Sequence, residues 1–464
     1  MKNDQIGLNL LDNKIKSVNS LNLSNMTRKK HLRTICFIMT IIIFWSCKSE
    51  KSDNFGREDY DPSKPVEITG FEPDSGGMST KVFITGSNFG SDVSKINVYF
   101  NGMRAPVVGS DGKHIYTITP RQPGRENVIS VVVNGDSTAF TKKKYLYRTM
   151  YVIQTITGRK GTTQFKAGRL SEAEFHQPST IAVDAQKNIF ISHWRVPFCF
   201  VRINEKEDIV EAVLPGSSTD ATYALGSPTV DANGMVSAIS DGGRIYFTFD
   251  PAEGWTPRQR SILPAGAGGT PFTFSTAHSL AAHPVTGELY TRYYASGHLI
   301  KVNPNTREGT LVGETLTSSD SYLVFDPVNP NIIYISYSSL HCIGKYDLEK
   351  NEHTIFAGRN GEAGWQDGPL SESRFNTPNQ LIVAPNGNLY LADRNNHCIR
   401  MITLDGKGGG VVSTVIGKGG IAGYQDGNPE DALFNQPRGV AVTPDGNIYI
   451  TDLGNNVVRK LTIE

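Results

Sequence analysis

The sequence predicts an all-β protein: a small β-sandwich followed by a six-bladed β-propeller. Three observations carry this. The 464 residues contain 46 Gly and 24 Pro, a density of turn formers that disfavours long helices. Short alternating apolar segments fill residues 66–147. Beyond residue 149 a strand-turn-strand pattern recurs, at a period of 59 in its clearest copies.

Composition bounds the function. With 38% hydrophobic and 20% charged residues, most of the chain can build cores. Residues 1–47 hold seven Lys or Arg against Asp4 and Asp12, which leaves 39 basic and 43 acidic groups in the rest, a net of −4. A weakly acidic body lacks the basic surface that nucleic-acid binding needs, so no nucleic-acid partner is expected.

The leader comes first. Thr27 to Arg33 is a basic segment, and Ile35 to Trp45 is an apolar run too short to span a bilayer but suited to a signal peptide. It ends at Trp45-Ser46-Cys47, which resembles a bacterial lipoprotein cleavage box and implies lipidation of Cys47. Residues 1–47 therefore read as a signal segment, with translation starting at Met26. Residues 48–64 are a polar linker that resembles the export segment of Bacteroidetes surface lipoproteins. That resemblance implies an outer-membrane protein held only by its lipid and facing the cell exterior.

In residues 65–148, strands are expected at Val82–Thr85, Ile96–Phe100, Ile115–Ile118, Val128–Val133 and Lys144–Tyr147, separated by turns such as Asn101-Gly102 and Asn134-Gly135. Gly70-Phe71-Glu72-Pro73, Gly86-Ser87-Asn88-Phe89-Gly90 and Val98 to Gly102 resemble an IPT/TIG immunoglobulin-like domain. In that family such modules serve mostly as spacers or interaction domains.

Residues 149–464 are repetitive. Phe375-Asn376-Thr377-Pro378 matches Phe434-Asn435-Gln436-Pro437, Asp393 matches Asp452, and Arg400 matches Arg459. An earlier copy begins at Phe175, and weaker ones near Thr229, Leu280 and Leu323. Six units of roughly 50 residues with four strands each make a β-propeller. The segment 437–452 resembles an NHL-repeat propeller. The chain stops after the third strand of the last unit, so strand 151–157 is expected to supply the fourth and remove two open sheet edges.

Candidate chemistry is sparse. Cys199, Cys342 and Cys398 share one third-strand slot, as small apolar core residues would. His278-Ser279-Leu280 resembles the zinc-binding His-x-Leu element of a peptidyl amidating lyase. Its equivalents are Ser179, Ser321, Asn379 and Arg438, one His where zinc needs about three ligands. No P-loop, nucleophile elbow or HExxH occurs, and no metal or other cofactor is expected.

The positions after each second strand are His193, Asp241, Tyr293, Tyr337, Asp393 and Asp452. Asp393 and Asp452 read as turn caps. His193, Trp194, Arg195, Tyr293, Tyr294 and Tyr337 replace the regular Asp turn and, with Arg394 and Arg438, form the expected ligand face, because aromatic faces and planar guanidinium suit sugars, peptides or carboxylates. Trp365-Gln366-Asp367-Gly368 and Tyr424-Gln425-Asp426-Gly427 read as a shared loop scaffold leading into helical pieces at 371–375 and 429–434.

The whole arrangement looks like accessory surface lipoproteins of gut-type Bacteroidetes. That resemblance implies non-catalytic capture of an extracellular polysaccharide or oligosaccharide for an outer-membrane transporter complex. A metal-dependent lyase or lactonase acting in the channel, and a protein–protein scaffold, are the alternatives.

Overall fold

The computed structural model describes residues 57–463 apart from Met78, 121–123, 194–196, 218–219, Ala221, Tyr223, 265–269 and Lys407. Cys47 and the leader lie outside the described residues, as do Trp194 and Arg195. Among the described residues no helix is long and apolar enough to cross a membrane. The chain forms two compact units.

The first unit is a two-sheet sandwich. One sheet runs Glu67–Glu72, Lys81–Ser87, His114–Ile118, Val107–Ser110; the other contains Asp136–Tyr147, Glu126–Val133, Ile96–Phe100 and Met103–Ala105. Strict alternation drives it: Val82 and Ile84, Ile96, Val98 and Phe100, and Ile129, Val131 and Val133 all point inward and are buried. The last strand is far longer than the expected Lys144–Tyr147, because residues 136–144, mostly polar but with Phe140 buried, continue the ladder beside Glu126–Val133.

Among the described residues, the second unit contains six antiparallel sheets. Their innermost strands are Pro178–Val183, Thr229–Val230, Ala281–Ala282, Ser321–Phe325, Pro378–Val383 and Pro437–Val442, in blades one to six. Each touches the next, and the sixth touches the first, so they enclose a central channel. Apolar seams join neighbouring blades. Phe190 and Phe200 of blade one are buried with Phe249 of blade two, the last two rings 4.7 Å apart; each such ring contributes about 1.5–3 kcal/mol by leaving water.

Tyr151–Gly158 pairs antiparallel with Val457–Ile463, so the start of this unit completes its last blade as expected. Repeated polar clasps reinforce the ring. Thr377 N donates to His341 Nδ1 (3.1 Å), Gln436 N to His397 Nδ1 (3.0 Å) and Gln177 N to Asn456 Oδ1 (2.8 Å), each from one blade to the preceding one. Donor and acceptor residues alike hold positive φ, between 55° and 60°.

The period-59 pairs are partners of one another. Asp393 and Arg400 form a fully buried ion pair (2.8 Å), and Asp452 and Arg459 repeat it (3.3 Å). Neither carboxylate caps the short 3-10 turn that follows it, contrary to expectation. Instead Asp393 accepts from Asn376 N and Asp452 from Asn435 N, at 2.8 Å each, tying strand ends to the preceding loop. The segments expected to be helical at 371–375 and 429–434 are turns with isolated bridges, Gln366 to Arg374 and Gln425 to Leu433. Carbonyls of these bridged residues are claimed by Arg400 and Arg459, which competes with helical bonding.

Candidate functional site

Bulges at the start of inner strands aim polar side chains into one end of the channel. In blade six Pro437 faces Asp452 and Gly439 faces Thr451, so Arg438 is the extra residue and is turned inward. It is buried and donates to the Tyr322 hydroxyl of blade four at 2.8 Å. Tyr322 is itself buried, and loss of water raises its pKa.

His278 precedes the inner strand of blade three. Its backbone is fixed by blade two, where Ser227 N donates to the His278 carbonyl (2.7 Å). Gly226 permits that approach: a Cβ there would lie 2.4 Å from the same oxygen. The imidazole is nearly buried, with Nε2 at 3.4 Å from both Asp241 Oδ1 and Asp320 Oδ1. Burial lowers the His278 pKa; the Asp320 and Asp241 charges oppose this and Arg438 adds to it. Burial likewise raises the pKa of Asp241.

Asp320 is held from behind. Ser338 N donates to its carbonyl (2.9 Å), and buried Arg292 pins the preceding loop by donating to Ser319 O (2.7 Å) and Thr315 Oγ1 (2.9 Å). Asp241, His278, Tyr322 and Arg438 line a cavity of about 210 Å³ together with Ser179, Thr180, His193 and Phe198.

The channel is closed beneath this cavity. Gln380, at the blade-five bulge, reaches across the axis. Its Nε2 donates to Ile181 O of blade one (2.6 Å) and Ser227 Oγ of blade two (2.9 Å), and its Oε1 accepts from Ile181 N (2.9 Å). A separate hollow of about 240 Å³ occupies the far end, lined by Gln380 and residues such as Val183, Val230, Phe325 and Val442.

The expected ligand residues divide. Arg438 lines the cavity, Arg394 acts electrostatically on Tyr322, and half-buried Tyr294 packs edge-on to His278 at 6.1 Å. Tyr293 and Tyr337 present no aromatic face, because both rings are fully buried in blade cores. The Tyr293 hydroxyl donates to Gly243 O (2.9 Å), and the Tyr337 hydroxyl bonds His353 Nε2 (2.9 Å). Their slot faces the start of the third strand, where Tyr337 pairs with the small Cys342. His193 fills the same slot in blade one, with Nδ1 at 3.2 Å from Cys199 Sγ. Cys199, Cys342 and Cys398 are buried free thiols, and burial raises their pKa, to about 12 at Cys342. Asp320 and Tyr322 are site residues absent from the sequence reading, and Asp241 enters it only as a position after a second strand, outside the expected ligand face. Among the described residues, no group of three or more His, Cys, Asp or Glu is placed to hold a metal ion.

Residues 65–147 match the IPT/TIG domain family, and residues 375–400 and 434–461 match the NHL repeat. The fold is shared with an auxiliary nutrient binding protein from Bacteroides ovatus: 25% identity, 88% of this chain and 100% of that one, TM-score 0.70. A protein of unknown function from Bacteroides thetaiotaomicron gives 27% identity over the same shares with a TM-score of 0.62. Protein SUPPRESSOR OF QUENCHING 1, chloroplastic, from Arabidopsis thaliana is 23% identical over 315 residues, 66% of this chain. The chain spans about a quarter or less of the length of the curated relatives it matches.

Proposed function

We propose that the protein is a non-catalytic, cell-surface binding protein that captures an extracellular glycan at the channel mouth for delivery to an outer-membrane transporter. One observation carries this reading: Asp241, His278 and Arg438 line one cavity, with the Asp320 carboxylate against the His278 imidazole. Sugar hydroxyls both donate and accept hydrogen bonds. Carboxylates supply acceptors, guanidinium supplies donors, and imidazole supplies either, so the set matches a polyol better than a simple anion or cation. The Bacteroides ovatus relative named as a nutrient binding protein supports ligand capture, and lipidation at Cys47 would hold the protein at the surface.

Affinity electrophoresis of the purified protein against a broad polysaccharide panel tests this. Retardation by at least one polysaccharide, relieved in His278→Ala, is the expected result. Unretarded migration on every polysaccharide would overturn the reading.

A further inference from the structure

We infer that the channel mouth is a blind socket that takes the terminal residue of an oligosaccharide end-on, and does not thread or clasp the middle of a chain. This rests on the glycan reading above and adds which part of the glycan is recognised.

Two cross-channel ties close the floor. Gln380 of blade five bonds blades one and two at 2.6–2.9 Å. Blade six packs beside the same amide, where Gly439 leaves the space that a Cβ, 2.9 Å from Gln380 Oε1, would take. The amide is thus fixed across the channel to two other blades, and the hollow beyond it is separate from the cavity above. The second tie, Arg438 to Tyr322, joins blades six and four.

The cavity above measures about 210 Å³, below the roughly 300–1,000 Å³ of pockets that enclose drug-sized ligands. It suits one compact polar unit. Its polar groups are also graded with depth. Arg438 and His278 are buried at 2% and 7% exposure, whereas the side chains of Asp241 and Asp320 are 50% and 34% exposed. An entering unit would meet the exposed Asp241 carboxylate first and the buried guanidinium last. A chain lying lengthwise would touch only the carboxylates and leave the buried donors unused.

The test uses oligosaccharides of increasing length, from partial hydrolysis of starch, inulin, xylan, arabinan and pectin, titrated calorimetrically into the purified protein. End-on binding is expected to give an affinity per mole of chain that changes by less than about threefold between trimers and octamers. His278→Ala should weaken every length by the same factor. An affinity that climbs tenfold or more with length, or internal cyclic oligosaccharides that bind as well as linear ones, would overturn the end-on inference while leaving glycan capture intact. Absence of binding at any length would overturn the glycan reading itself.

Discussion

Asp426 Oδ2 accepts a hydrogen bond of 2.9 Å from the backbone N–H of Thr155, 271 positions earlier in the chain. The same carboxylate bonds Arg459 Nη2 at 2.6 Å, and blade five repeats the arrangement with Asp367, Thr414 N and Arg400. Thr155 thus occupies the fourth-strand place that Thr414 holds in a continuous blade. Asp426 is where the ring is fastened shut.

Removing that fastening has a local signature. Asp426→Ala is expected to cost about 1–3 kcal/mol in urea unfolding and to speed amide exchange across residues 151–158. Asp367→Ala should cost a similar amount yet leave those amides slow. Arg459→Ala, which strands the buried Asp452, should cost more, about 3–5 kcal/mol. Equal exchange in the two Asp variants would mean that Asp426 does not secure closure.

Acid sensitivity follows from buried histidines. Burial holds His193 near a pKa of about 3 and His353 near about 4, against about 6.5 in the unfolded chain. Both stay neutral in the fold while the unfolded state takes up protons. Their contribution is therefore full above pH 6.5 and is lost as pH falls toward 4 and then 3, at up to about 1.4 kcal/mol per pH unit for each. His193→Tyr, which installs the residue of the matching slots in blades three and four, should flatten the dependence of urea midpoint on pH between 6.5 and 4. An unchanged slope would assign the sensitivity elsewhere.

The channel floor tolerates no added atom. Gly439→Ala would bring a Cβ to 2.7 Å from both Ser179 O and Thr451 Oγ1, and is expected to destabilise by about 1–3 kcal/mol in urea unfolding. Gly70→Ala, where nothing lies within 4 Å, should stay within about 0.5 kcal/mol of the parent. Similar values for both would contradict the tight packing around Gln380.

Much of the fold is written in short-range pattern. The 59-residue spacing of Asp393 and Asp452, and of Arg400 and Arg459, marks equivalent blades, and the likeness of residues 151–158 to other fourth strands marks closure. The pairing of Asp393 with Arg400 within one blade was equally available as a signal, since third-strand and second-strand ends are adjacent. The site was harder to read because it depends on bulges. Blades one, five and six carry an extra residue at the mouth, whereas Ser321 of blade four pairs directly with Tyr337. Counting from the repeat motif therefore selected Ser321 and passed over its neighbours Asp320 and Tyr322. Tyr293 and Tyr337 misled for a related reason. The slot after the second strand faces inward in both blades, opposite Cys342 at Tyr337 and opposite His298 at Tyr293, and sequence alone does not show that a Tyr there is swallowed.

The most direct test compares the affinity of one retarding polysaccharide for the parent protein, Arg438→Ala and Trp365→Ala. Trp365 is the contrasting aromatic, 52% exposed and tied to Thr414 Oγ1 at 3.0 Å, away from the cavity-lining residues. Thermal unfolding of each variant confirms that it is folded, with Arg438→Lys as the conservative fallback. Capture at the channel mouth predicts at least about a 30-fold loss for Arg438→Ala, near 2 kcal/mol, and less than about a twofold change for Trp365→Ala. Unaltered binding in a folded Arg438→Ala, or a loss confined to Trp365→Ala, would contradict it.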